Sequence, residues 1–386
     1  MKILFISESY GSTLFGVAQV LTHIIKYCSA ALFESKVLAY SVDDVCENKS
    51  LVKQLPVYGV GMQKNSLGRM LRVHHRMYPT VRKEINSFDP DLVHVHGVLT
   101  FIQVIGVLGS KGEGVPVLIS PHGMLEPWLW KQKGHLYFWL KRLYWVVVLR
   151  PFLSRVDFVH VITNQESVTL AQEFPDVPQV HISNAIDLVE YSSNQVAPDT
   201  DHFLLFIGRL HPKKGVDLLI RAFKKASVEN VRLMIAGPDF DADYTAKLKA
   251  LVERLGLSGK VSFVGSVHGD GKSELLQKAW CTVIPSYSDV VALVNLESTA
   301  SFTPTITTTM TGLSDWQEGG GLLVEPELEP LTEAIIIACN WSLEERMQIG
   351  ERARAFVEDR YSWGVIGEQW VEAYKMIAES GKKKYE

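Results

Sequence analysis

The stretch FLLFIGRLHPKKGVDLLIRAF (203–223) reads as a strand, a tight basic loop and a helix in immediate succession. Its first five residues are apolar without interruption, which predicts a strand covered on both faces. Val216, Leu219, Ile220 and Phe223 then recur at helical spacing. Between the two runs, the loop from Gly208 to Gly215 carries Arg209 and Lys214. A helix N-terminus already favours an anion. An added guanidinium and ammonium suit a multiply charged group such as a diphosphate. A solvated basic turn is the plainer alternative.

The same strand–loop–helix rhythm runs through the chain. In the first half the apolar runs are KILFIS (2–7), KVLAYSV (36–42), LVHVHG (92–97), PVLISPH (116–122) and FVHVIT (158–163). In the second they are FLLFIG (203–208), VRLMIAG (231–237), VSFVGSV (261–267), CTVIPS (281–286), TPTITT (303–308) and GLLVEP (321–326). Alternation with helical patterns predicts an α/β chain of two doubly wound parallel sheets. A length of 386 residues also points to two cores. Polar and turn residues cluster at 184–201, which sets the expected domains at 1–186 and 187–365. A C-terminal helix, about 366–386, is expected to pack back on the first domain.

A net charge of −4 gives no general case for nucleic acid, although the first 176 residues are basic and the remainder acidic. The four cysteines are scattered, with no CxxC pair, which fits a reducing compartment and offers no zinc framework. MKILFIS is too short for a signal peptide, and no run has transmembrane length. The expected location is cytosolic, or peripheral to a membrane.

In doubly wound sheets ligands gather beyond the carboxyl ends of the strands, and several chemistry-bearing residues fall there. Gly11 and Gly16 follow the first strand but lack GxGxxG spacing, so no dinucleotide fingerprint is present. His122 follows the fourth. His94 and His96 form an H-x-H pair, whose metal-ligand reading would need His122 or His160 and a carboxylate to converge with them. Asp239, Asp241 and Asp243 resemble a metal-binding D-x-D, but acids just ahead of a helical pattern are ordinary caps. Asp289 and Glu297 offer carboxylates suited to vicinal hydroxyls, with a helix predicted to begin near Ala292.

GRLHPKKG (208–215), the Asp289 to Glu297 spacing after Pro285-Ser286, SPHGM (120–124), ISNAID (182–187) and GGGLLVEP (319–326) occur in one order. Together they resemble the retaining glycosyltransferases of family 4, whose GT-B architecture has two Rossmann-like domains facing a cleft. The resemblance covers nearly the whole chain and implies an acceptor domain followed by a donor domain. It implies that Arg209 and Lys214 hold the donor diphosphate without a metal or other cofactor. Glu297 would bind ribose, and Asp289 the donor sugar. The amides of Leu293 and Val294 would meet phosphate, and the backbone at Val267 the base. His122 would contact the sugar near the reacting face, and Gly16 would let phosphate approach. The implied partners are a UDP-sugar donor, UDP-glucose as the first choice, and a saccharide or lipid-linked saccharide acceptor in polysaccharide synthesis. The family's first acid is usually Glu, and Val290-Val291-Ala292 replaces a glycine-bearing segment, changes that would reshape the sugar pocket. A nucleotide-sugar epimerase or phosphorylase of the same fold, or a nucleotide-sugar-binding protein with little catalysis, are the alternatives.

Residues 128–155 contain six Lys/Arg, no acid and four of the nine tryptophans. Leu136, Trp139, Leu140, Leu143, Val146 and Val147 share one helical face. That pattern suits an anionic membrane interface, or equally a core-facing helix with a basic outer side.

Overall fold

A computed structural model describes residues 1–10, 17–42, 49–55, 76–126, 130, 134–191, 195–319 and 321–385. It divides into two compact units, Met1–Ser183 with Gly367–Glu386, and Asn184–Ile366.

The first unit is built on seven parallel strands: β1 (Lys2–Tyr10), β2 (Glu34–Val42), β3 (Val52–Gln54), β4 (Leu92–His96), β5 (Val117–Ser120), β6 (Phe158–Val161) and β7 (Gln179–His181). Their order is β3-β2-β1-β4-β5-β6-β7. The second unit has six: β8 (Phe203–Ile207), β9 (Arg232–Ala236), β10 (Val261–Gly265), β11 (Cys281–Ile284), β12 (Thr305–Thr308) and β13 (Leu322–Val324). These run β10-β9-β8-β11-β12-β13, again all parallel. In each sheet the strand order reverses beside the unit's first strand, between β1 and β4 and between β8 and β11. Such a reversal opens a crevice at the strand ends, because the flanking connections depart to opposite faces.

The eleven apolar runs all contain strands. β3 and β7 were not legible, because each is a three-residue edge strand with polar members, Val52-Lys53-Gln54 and Gln179-Val180-His181. An edge strand needs only one buried side, so no continuous apolar run marks it. The central strands β4, β5, β8, β11 and β12 are buried throughout. In β12, polar Thr305 is tolerated because Trp316 Nε1 donates to its Oγ1 at 2.6 Å.

The helix Leu343–Tyr361 starts at a capping box between Ser342 and Glu345. From it Arg346 is driven into the second core, with no exposed surface. Its guanidinium donates to the carbonyls of Trp280 (3.1 Å), Phe302 (3.1 Å) and Ala279 (2.8 Å) and to Thr303 Oγ1 (3.1 Å). Burial lowers its pKa to about 10, leaving it charged at neutral pH.

Candidate active site

In the second unit the site is assembled by loops leaving β8 and β11, the two strands flanking the reversal. After β8 the chain makes a 3-10 turn, Pro212–Lys214, capped by His211 Nδ1 on the Lys213 amide at 3.2 Å. Gly215 then adopts a φ of +65° and opens the helix Val216–Ala226. A Cβ here would fall on the Pro285 carbonyl oxygen, so only glycine lets the two loops meet. The Tyr287 amide donates to the Lys213 carbonyl at 2.8 Å and completes the junction.

This packing brings both lysine ammonium groups onto one carboxylate. Lys214 Nζ lies 2.5 Å from Asp289 Oδ2, and Lys213 Nζ lies 3.3 Å from Oδ1. Burial alone would raise the Asp289 pKa, but the charges of Lys214 and Lys213 outweigh it and hold the group at about 2. Burial also lowers the Lys213 ammonium, with Asp289 acting against it. Arg209 is exposed, its guanidinium 5.1 Å from the Phe240 ring centroid. Two ammonium groups thus meet one carboxylate where two strands end, with the Arg209 guanidinium near enough for its charge to act on Lys213.

Glu297 lies on the helix Leu293–Ala300, which begins one residue after Ala292. Its side chain is buried, and Lys272 Nζ stands 2.6 Å from Oε2. Val267 and Val294 pack against the same apolar group, with Phe203, Leu205, Ile207 and Leu276. Among the acids at 239–243, Asp241 is the cap of the helix Ala242–Arg254. Asp241 accepts the Tyr244 amide at 3.0 Å, and Asp239 accepts the Thr245 hydroxyl at 2.6 Å.

In the first unit, β4, β5 and β6 bring four histidines together. His160 Nε2 is 2.7 Å from the Ile182 carbonyl, which can only accept, so this nitrogen carries the proton. Its Nδ1 therefore accepts from Ser120 Oγ at 2.8 Å. Ser120 in turn accepts from His94 Nε2 at 2.7 Å, and His94 Nδ1 accepts from the Tyr374 hydroxyl at 2.9 Å. Every link agrees with neutral imidazoles. Burial lowers His94 and His96 well below 6.5, and it lowers His160 to about 4. His94 and His160 have both nitrogens engaged, so in this arrangement neither offers a lone pair to a metal.

His122 follows β5 in a turn, with a φ of +52°, and its Nε2 is 2.9 Å from His96 Nδ1. The turn is anchored by buried Glu166, whose carboxylate accepts the Gly123 amide at 2.7 Å and the Ile162 amide at 2.8 Å. Burial raises the Glu166 pKa to about 7, against the pull of those two amides.

Of the residues named from sequence, Arg209, Lys214, Val267, Asp289, Leu293, Val294 and Glu297 all lie in the second unit, on segments that follow β8, β10 and β11. His122 lies in the first. Gly16 falls outside the described residues. Lys213, Lys272 and Glu166 were missed. Lys213 is adjacent to a named residue, whereas Lys272 and Glu166 sit on helices whose partners are distant in sequence.

The family model described as "Glycosyltransferase Family 4" matches residues 16–190, and that described as "Glycosyl transferases group 1" matches residues 190–356. An uncharacterized glycosyltransferase of Methanocaldococcus jannaschii is 33% identical over 186 residues, 47% of this chain and 46% of that protein. The chain thus spans about half the length of that relative. Sucrose-phosphate synthase from Thermosynechococcus elongatus superposes with a TM-score of 0.74 at 18% identity, over 98% of this chain and 99% of that one. The crystal structure of Anabaena Alr3699/HepE in complex with UDP and glucose gives 0.71 at 20% identity, over 97% and 100%. The two family models run consecutively along the chain and together match residues 16–356, and these solved structures superpose over nearly its whole length: the chain belongs to the family 4 glycosyltransferases and has the GT-B fold.

Proposed function

We propose that this chain is a retaining hexosyltransferase that moves a sugar from a UDP-sugar to a saccharide, free or lipid-linked, in polysaccharide synthesis. UDP-glucose is the first choice of donor. One observation carries the reading. Lys213 and Lys214 converge on Asp289 beside Arg209, at the strand reversal where this fold class binds ligands. As the bond from the sugar's anomeric carbon to the diphosphate breaks, negative charge grows on the departing oxygen. Cations already held in place stabilise it without reorganisation, and no resident metal is needed. The acceptor hydroxyl attacks from the face the diphosphate leaves, and its proton passes to a phosphate oxygen. Configuration is thereby retained with no protein nucleophile. Glu297 takes the ribose hydroxyls, with the Leu293 and Val294 amides on phosphate and the Val267 backbone at the base. In the first unit, proposed to bind the acceptor, His122 would meet a sugar hydroxyl and Gly16 would let phosphate approach.

The test is UDP release from UDP-glucose, measured with and without saccharide acceptors. Acceptor-dependent release that persists in chelator is expected. Parallel thermal shifts across nucleotide sugars should rank the donors, because a ligand of the native state raises stability with its affinity. Sugar isomerisation without acceptor would replace the reading with epimerisation. Stabilisation by UDP with no turnover would replace it with binding alone.

The acceptor side of the proposal includes contact with an anionic membrane. Among the described residues no helix is long and apolar enough to cross a bilayer. The helix His135–Leu143 and the π-helical turn Tyr144–Leu149 nevertheless expose Leu136 (76%), Trp139 (63%) and Val147 (60%), with Leu140 and Leu143 beside them. Lys141, Arg150 and exposed Arg155 accompany this face, and no acid occurs between residues 134 and 156. The segment is held from below by Trp145, whose Nε1 donates to Glu173 Oε2 at 2.7 Å, so the apolar side is turned outward from a fixed base. An apolar stripe with basic flanks suits an anionic headgroup layer. Vesicles containing phosphatidylglycerol should sediment the protein, neutral vesicles should not, and Trp139→Asp should weaken retention severalfold. Equal recovery in the supernatant with both vesicle types would remove the membrane from the proposal.

A further inference from the structure

His122 has one ring nitrogen already taken, which limits what it can do for a ligand. Its Nε2 faces His96 Nδ1 at 2.9 Å, and the two rings stack at an interplanar angle of 16° with centroids 5.1 Å apart. His96 ends the buried strand β4 and has 1% of its surface exposed. Its other nitrogen, Nε2, is buried and has no hydrogen-bond partner among the described residues.

Two neutral arrangements satisfy the His96–His122 bond. In one, His122 donates from Nε2, and neutral His96 must then carry its proton on Nε2, where no acceptor meets it. In the other, His96 donates from Nδ1, and its Nε2 is a bare lone pair. An orphaned buried N–H is the rarer defect in proteins, and a buried group without its partner costs about 1–3 kcal/mol. The second arrangement avoids the orphaned donor. We propose that His96 is a positioning residue that donates from Nδ1 to His122 Nε2 and so fixes the His122 proton on Nδ1. His122 then presents a neutral N–H donor, and the nitrogen that could have served as a base is occupied.

Two further observations agree. Burial depresses His122 to about 3 and His96 well below its usual value, so both rings stay neutral at physiological pH. The His122 ring is also oriented from its own backbone, since the next amide, Gly123, is held by Glu166. A neutral donor fixed in this way suits a sugar hydroxyl or an oxygen gaining negative charge, and does not suit proton abstraction. That last step rests on the proposed transferase reading, but the tautomer does not.

The tautomer can be read directly in long-range proton–nitrogen correlation spectra of the full chain labelled with 15N-histidine. His122 is identified by the signals that His122→Asn removes. A pyrrole-like Nδ1 and a pyridine-like Nε2 are expected, and the reverse pattern overturns the proposal. Two variants add a functional readout. In His96→Asn the amide can still donate to His122. In His96→Asp the carboxylate only accepts and draws the proton to Nε2. Turnover at least tenfold higher in the Asn variant, at similar donor KM, is expected, and equal turnover in the two counts against the positioning role. If either variant fails to fold, the wild-type spectrum still decides. The stated tautomer in a protein with no transferase activity would remove the functional reading and leave the His96 assignment standing.

Discussion

Lys214→Ala lowers turnover by about 10²–10³, equivalent to roughly 2.7–4 kcal/mol of lost transition-state stabilisation. The reason is geometric. Lys214 makes the shorter of the two bonds to Asp289, so its ammonium is the cation most firmly held at the strand reversal. A leaving diphosphate gains charge as the sugar departs, and a fixed cation stabilises that state more than the ground state. The protein should remain folded, because Asp289 keeps Lys213 as a partner and is not left as an uncompensated buried charge. Lys213→Ala, which removes the longer bond, should cost less. The measurement is acceptor-dependent UDP release at saturating substrates, with thermal unfolding as the control. Turnover within threefold of wild type in folded Lys214→Ala protein would end the assignment of Lys214 to the leaving group.

The second large effect is acid lability of the first unit. His94, His96 and His160 have 0%, 1% and 2% of their surface exposed, and burial depresses these three and His122 below the usual 6.5. When folding depresses a histidine pKa, the stability it contributes is present above the unfolded value and lost as pH falls towards the folded one. Between pH 7.5 and 5 each buried imidazole therefore costs about 2 kcal/mol, because the unfolded chain takes up a proton that the folded one refuses. Glu166 works in the opposite direction. Its folded pKa of about 7 lies above the usual 4.5, so its contribution is gained as pH falls through that window and returns about 2 kcal/mol. The net loss at pH 5 is about 6 kcal/mol, a large share of the 5–15 kcal/mol typical of a whole domain. Urea unfolding followed by tryptophan fluorescence should show a transition that moves to lower denaturant between pH 7.5 and 5. A midpoint that stays constant or rises would show that the histidine chain is not buried neutral.

The fold was legible where burial leaves a linear signature. A strand covered on both faces is apolar nearly throughout: β8 reads that way at every position, and β4, β5 and β11 are broken only by His94, His96, Ser120 and Thr282. The donor loop was legible for a related reason. Gly208, Arg209, Lys214 and Gly215 lie within eight residues, because one turn supplies both the conformational freedom and the charge. The D-x-D was correctly weighed against capping, since a cap is settled by neighbours three residues away. The segment 128–155 was left open between a core-facing and an outward-facing stripe. Periodicity reports that an apolar face exists and not which way it points. The packing of Trp145 on Glu173 leaves the face from Leu136 to Val147 outward.

Partnership over long sequence distance is what the chain did not disclose. Arg346 lies in LEERMQIGER, which reads as a solvated helix face, yet it fills the second core because carbonyls at 279, 280 and 302 converge there. Glu166 reads as a first-turn helix acid and proves to hold the loop of His122, 44 positions earlier, through the Gly123 amide, a bond with a sequence separation of 43. Lys213 and Lys214 meet Asp289 across separations of 76 and 75 residues. By itself the sequence determined the two-sheet α/β class, the strand ends that carry the chemistry and the cation loop, since each depends on residues close in the chain. The tertiary structure decided which charges are paired, which histidines stay neutral and which apolar face is left uncovered. These depend on desolvation and on partners brought together only when the sheets assemble.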